Sequence, residues 1–225
     1  MDDDDVWWRG PLTDLIGGRR VILAGAAAAA WTPLVPVIRS LGASDVLVAA
    51  TEGRGAGPQP DAEIVAVEPP PEVEGTMPRM RHSLAALAEP PAELRAGLEA
   101  FDPDREAVVL ATFLNESPSL DGRPSVAHRR PAWVALEDKT RVDDLLDRAG
   151  VARALSVVVP VAAAAAARHA LDAGHGTVWA ADSSSGYHGG AQATRWVVDD
   201  ADAADVTAEL AAVARTVRVL SLIHI

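Results

Sequence analysis

The run Arg20-Val-Ile-Leu-Ala24, closed by Gly25, decides how this chain is read. After its first residue it is apolar at every position and rich in β-branched side chains. A half-exposed strand alternates in polarity; a short continuous apolar run stopped by glycine fits a strand buried on both faces of a parallel sheet. Outward from it the pattern returns at Asp45 to Ala50, Glu63 to Val67, Glu106 to Ala111 and Pro131 to Ala135, which gives five expected strands. Helical sequence lies between them, from about Trp31 to Leu41 with Gly42 closing it, and from about Pro78 to Phe101. Glu89-Pro-Pro91 interrupts the second stretch, because proline breaks the helical ladder. Thr51 to Pro60 is a loop by its glycine and proline content, and Thr112 to Arg130 is a long polar loop. Strands alternating with helices predict a parallel sheet covered on both faces, a Rossmann-like domain over residues 1–136.

From Glu137 the order changes. A helix over Asp138 to Ala149 ends on Gly150, a strand follows at Leu155 to Val159, and Val161 to Leu171 is an alanine-rich helix. Gly176 to Ala181 and Ala193 to Val198 are strands joined by a loop rich in glycine and serine, which predicts an antiparallel hairpin. A helix at about Ala203 to Arg215 and a strand from Thr216 complete this α+β half, residues 137–219.

Composition narrows the function classes. The 225 residues are 49% hydrophobic with a net charge of −12, so the chain folds and opposes nucleic acid, whose phosphates demand a basic footprint. Cysteine is absent, which excludes disulfides and thiolate metal sites. The acidic start Met-Asp-Asp-Asp-Asp is unlike a signal peptide, and no apolar run approaches the roughly 20 residues of a membrane span. A cytoplasmic protein with no membrane partner is expected.

Of 20 basic residues only Lys139 is lysine; the other nineteen are arginine. In a chain of alanine runs and scarce Ile, Phe and Tyr, a GC-rich coding bias turns interchangeable surface cations into arginine. A lysine kept against that bias marks a place where a compact charge matters, or is one chance surface residue. Lys139 stands in the first turn of the expected helix, where a cation works against the helix dipole; local stability does not explain it, and an anion beside that turn would. The hairpin loop holds Ser184, Ser185, Gly186, Gly189 and Gly190, which offer hydroxyls and unobstructed backbone N–H groups, as a phosphate requires. Glycines in hairpins are as often mere turn residues. The dinucleotide fingerprint is missing, since five alanines follow Gly25, and no Walker A motif, nucleophile elbow or H-E-x-x-H occurs. His82 and His169 read as surface helix residues; His128, His175 and His188 lie in loops.

Leu136-Glu-Asp-Lys-Thr140 opening a helix, Asp143 to Val151 leading to Leu155-Ser-Val-Val-Val-Pro160, and Trp179 to Trp196 around the glycine-rich hairpin together resemble the ATP-grasp family of carboxylate ligases. The resemblance covers most of residues 19–219. It implies a Rossmann-like pre-ATP-grasp domain followed by the N-terminal part of an ATP-grasp domain, an incomplete α+β subdomain. It further implies an ATP-dependent ligase that joins small-molecule carboxylate and amine substrates through an acylphosphate, with ATP and Mg2+ as cofactors. Lys139 would contact the ATP phosphates, and Ser184, Ser185, Gly186, Gly189 and Gly190 would form the flap over them. No catalytic or metal-binding residue is assigned, because the magnesium ligands and the transition-state arginine of the family fall beyond position 219. A homodimer is compatible with this reading. One departure stands out: the strand Thr177-Val-Trp-Ala-Ala181 has alanine where the family carries a second lysine, which leaves that contact to Arg195 or to a group beyond residue 219. The alternative is a non-catalytic Rossmann-like module for a nucleotide or small ligand, or a degenerate relative of the family.

Isoleucine occurs four times in residues 1–219 and twice in the last three. Leu220 to Ile225 can be back-translated as a transposase mosaic-end adapter, so residues 220–225 are expected to be an adapter-derived tail, and the chain an N-terminal fragment without its own catalysis.

Overall fold

The computed structural model describes residues 7–112, 115–126, 128–134, 136–183 and 192–222. The chain divides into two units between Arg130 and Pro131, six residues before the boundary expected at Leu136.

In the first unit, α1 (Arg9–Ile16) precedes β1 (Arg20–Ala24), a 3-10 turn (Ala28–Trp31), α2 (Leu34–Ser40), β2 (Asp45–Ala50) and β3 (Glu63–Ala66). Then come α3 (Thr76–Ala88), α4 (Ala92–Phe101), β4 (Val108–Ala111) and a small hairpin of β5 (Ser119–Leu120) and β6 (Arg123–Pro124). The four long strands form a parallel sheet in the order β3-β2-β1-β4. Both faces are buried, as the apolar runs require. Ile22, Leu47 and Val109 pack under Leu87, Leu94, Leu98 and Phe101 of α3 and α4. The alternate residues Val21, Leu23, Val46, Val48 and Val108 pack under Ile16, Val35 and Ile38 of α1 and α2. Pro90 and Pro91 separate α3 from α4, as expected.

The fifth expected strand is corrected: Pro131–Val134 is a short helix, α5. Proline lacks an N–H and presets φ, which suits the first helical position and not a central strand. The free edge of β4 is also already used, since Ser125 bridges to Val109 and the Val126 N–H donates to the Val109 carbonyl at 3.1 Å.

The second unit runs through α5, a 3-10 turn (Lys139–Arg141), α6 (Val142–Arg148), β7 (Ser156–Pro160), a 3-10 turn (Val161–Ala163) and α7 (Ala164–Leu171). β8 (Thr177–Ala181), β9 (Thr194–Val197), α8 (Asp200–Ala211) and β10 (Thr216–Ser221) follow. Its four strands pair antiparallel in the order β7-β10-β8-β9. The expected hairpin is present as β8 and β9. The last strand lies inside the sheet, so β7-α7-β8 and β9-α8-β10 are interleaved crossovers. Leu220 and Ser221, counted above with the foreign tail, pair with Ser156, Val178 and Thr177 in β10. Trp179, Val197, Val217 and Val219 face α7 and α8 and build the core with Ala164, Val206 and Leu210. Among the described residues no helix is long and apolar enough to cross a membrane.

Candidate functional site

In β10 the residues facing α7 and α8, Val217 and Val219, alternate with Thr216, Arg218 and Leu220, which face the other way. Period-two alternation makes this a property of the strand. Pairing carries it across the sheet: Arg218 is opposite Ala180 of β8 and Val158 of β7, and Leu220 is opposite Val178 and Ser156. On this second face lies the segment that begins at Asp138.

Asp138 caps that segment. Its Oδ1 accepts from the Thr140 N–H at 2.9 Å and from the Thr140 hydroxyl at 2.6 Å, which satisfies one donor that a helical start leaves open. The cap places Lys139, exposed, at the head of the 3-10 turn. The turn packs against β8 and β10. Among the described residues Lys139 makes no ion pair with a carboxylate.

Asp143, in the first turn of α6, ties the segment to the sheet. Its Oδ1 accepts from Arg218 Nε at 2.9 Å and its Oδ2 from the Ser156 hydroxyl at 2.7 Å, with Arg153 at 3.6 Å. Burial pushes the Asp143 carboxyl up, but the hydrogen bonds from Arg218 and Ser156 and the charges of Arg218 and Arg153 outweigh it and hold the group below its ordinary value. Arg153 also donates to both oxygens of Asp147, each at 2.8 Å. Sequence reading missed this cluster. The only available signal was Arg218 inside the apolar run Thr216 to Leu220, and a strand pattern alone does not say what the arginine meets.

At the far end of β8, the buried Asp182 fixes the base of the hairpin. Its Oδ2 accepts from the N–H groups of Arg215 and Thr216, at 3.1 and 2.5 Å, and from the Thr216 hydroxyl at 2.7 Å. The expected flap residues Ser184, Ser185, Gly186, Gly189 and Gly190 lie outside the described residues, as does His188. Arg195, the expected substitute for a second lysine, is engaged on the α8 face. It pairs with Glu209 and donates to the carbonyls of Gln192 and Thr194. Ala180, like Val178, lies on the face of β8 that carries Arg218 and the Asp138 segment.

Three of the other singled-out histidines have local roles, whereas His82, expected at the surface, is half-buried on α3 with its Nε2 out of solvent. His128 Nδ1 is 2.9 Å from the Ser125 carbonyl, and the His175 carbonyl accepts from Trp196 Nε1 at 2.9 Å. His169 Nε2 lies 3.5 Å from Asp200. Among the described residues no group of three or more His, Asp or Glu side chains is arranged to hold a metal ion.

In the first unit, strand order reverses between β1 and β4, where open α/β sheets bind ligands beyond the carboxyl ends of their strands. Gly25 there has φ +96°, and a Cβ on it would come within 2.8 Å of the Thr112 methyl. Ala26, at φ +53°, has its carbonyl bound by the N–H groups of Thr51 and Glu52. This turn is knitted to the loop after β2, and its glycine is explained by close packing.

Compared with models of known families and with curated proteins, the chain matches none.

Proposed function

We propose that this chain carries the nucleotide-binding part of an ATP-dependent ligase joining a carboxylate to an amine. One observation supports this best: the fold sets the exposed Lys139, capped by Asp138, against β8, the strand that runs into the glycine-rich hairpin. A compact cation with no carboxylate partner among the described residues, held on a turn bound to the sheet, suits a phosphate. The reaction would transfer the γ-phosphoryl group of ATP to the substrate carboxylate, giving ADP and an acylphosphate. The amine lone pair would then attack the acyl carbon, expel phosphate and lose its proton. In such transfers positioning and charge neutralisation do most of the work. Magnesium bound with the nucleotide would supply further charge neutralisation.

A second reading, a non-catalytic nucleotide-binding module, is favoured by Ala180 and by Arg195. The first removes the second cation from β8, and the second turns its guanidinium to Glu209. Calorimetric titration of the whole chain with ATP, ADP and GTP tests both. Saturable ATP binding that is lost in Lys139→Ala supports the nucleotide site; absence of binding rejects both readings. Under the ligase reading, acylphosphate trapping by hydroxylamine should also appear when carboxylates are supplied with ATP.

A further inference from the structure

The amino ends of the parallel strands in the first unit border an open cleft of about 320 Å³, lined in part by Arg19, Arg20, Ser44, Asp102 and Glu106. Its lining carries two arginines and two acids, but their hydrogen bonds are unevenly shared. Asp102 is already satisfied: Oδ2 accepts from Arg123 Nε at 2.9 Å and the Ala107 N–H at 3.1 Å, and Oδ1 from the Glu106 N–H at 3.2 Å. Arg20 approaches the same carboxylate only to 3.9 Å, beyond hydrogen-bond range. Arg19 donates to two carbonyls, Glu106 at 2.8 Å and Leu15 at 3.4 Å. Among the described residues no carboxylate forms an ion pair with Arg19, and the exposed Glu106 carboxylate pairs with neither arginine. Two guanidiniums therefore line one cleft with hydrogen-bonding capacity to spare, and Ser44 lines it too.

We propose that this cleft binds the phosphate group of a small anionic molecule. Planar guanidinium forks match the oxygens of a phosphate, which would accept from the donors that the carbonyls and Asp102 leave unused. The volume sits at the lower end of the range for ligand pockets, about 300–1,000 Å³, which suits inorganic phosphate or a small phosphomonoester and is too small for a nucleotide. The cleft is at the opposite end of the strands from the usual ligand crevice, and the inference is independent of the ligase reading.

The test is a calorimetric titration of the whole chain with inorganic phosphate and, separately, with glycerol phosphate, at fixed ionic strength because exposed charges are screened by salt. Saturable binding of either is expected, with Kd raised at least about tenfold in Arg19→Gln and in Arg20→Gln. Binding of both probes would mean that the group alone is read; binding of the ester only would mean that its organic part is read too. Arg19→Gln removes contacts to carbonyls only, so it carries the test if Arg20→Gln fails to fold. The proposal is overturned if neither probe binds saturably, or if a folded Arg19→Gln chain binds both as tightly as the parent.

Discussion

Arg123 Nε donates to Asp102 Oδ2 at 2.9 Å with the two side chains 0% and 1% exposed. The same guanidinium donates to the carbonyls of Leu98 and Asp102 at the end of α4 and to Asp121 Oδ2 at 3.0 Å. One side chain thus closes a helix end, neutralises a buried acid and pins the β5-β6 hairpin. Breaking such a pair leaves an uncompensated buried charge, so Arg123→Ala should cost about 3–5 kcal/mol. Urea denaturation checks this, and Arg123→Ala with Asp102→Ala should cost less than the two single changes added together.

Lys139→Ala should weaken ATP binding by about 1.5–3 kcal/mol, the scale of a charge-assisted hydrogen bond. Lys139→Arg should also bind poorly, since a planar fork does not replace a point charge. Neither change should move the melting temperature appreciably, because Lys139 makes no ion pair among the described residues. Unchanged ATP affinity in both variants would make Lys139 an ordinary surface residue.

Gly97→Ala places a better helix former in α4, which in an isolated helix would gain about 0.5–1 kcal/mol. Here a Cβ would come within 2.3 Å of the Val65 methyl carbon on β3. The variant should instead be destabilised by about 1–3 kcal/mol, the cost of overpacking. Gly150→Ala is the contrasting case: no atom lies within 4 Å, but φ is +67°, so it should cost about 1 kcal/mol from backbone conformation alone.

Acid should weaken the second unit through carboxylates that the fold holds below their ordinary value, Asp143 and Asp172 among them. The N–H groups of Gly174 and Gly176 hold the Asp172 carboxyl below its ordinary value, and Asp143 is lowered by its arginine and serine partners against the effect of burial. A carboxyl depressed in the folded state contributes stability above its unfolded pKa, about 3.9, and loses it as pH falls through the folded value. Asp143→Asn should therefore be clearly less stable than the parent at pH 7, and the difference should shrink towards pH 3. A difference independent of pH, followed by urea midpoints, would show that the Asp143 charge contributes nothing.

Much of the architecture was legible locally. Asp45 to Ala50 is one strand from end to end, Pro90 and Pro91 divide the two helices where proline must, and Gly150 ends α6 with a positive φ. Each is decided within a few residues by hydrophobic pattern or by allowed backbone angles. Of the site, the helical start that carries Lys139 was legible for the same reason; that it is a 3-10 turn capped by Asp138 was not.

Other features depend on neighbours that are distant in sequence. Pro131 to Val134 has the composition of a strand, yet it is a helix, and the edge of β4 is occupied by Ser125. Arg195 and Arg218 both sit in apolar strand runs; pairing register sends one to Glu209 and the other to Asp143. Arg123 looked like a loop arginine and is fully buried, because only the folded chain brings Asp102 and the open carbonyls of α4 around it. Alternation along each strand already decides which residues share a face; tertiary structure chose what each face meets, because strand pairing and charge burial are settled between segments and not within them.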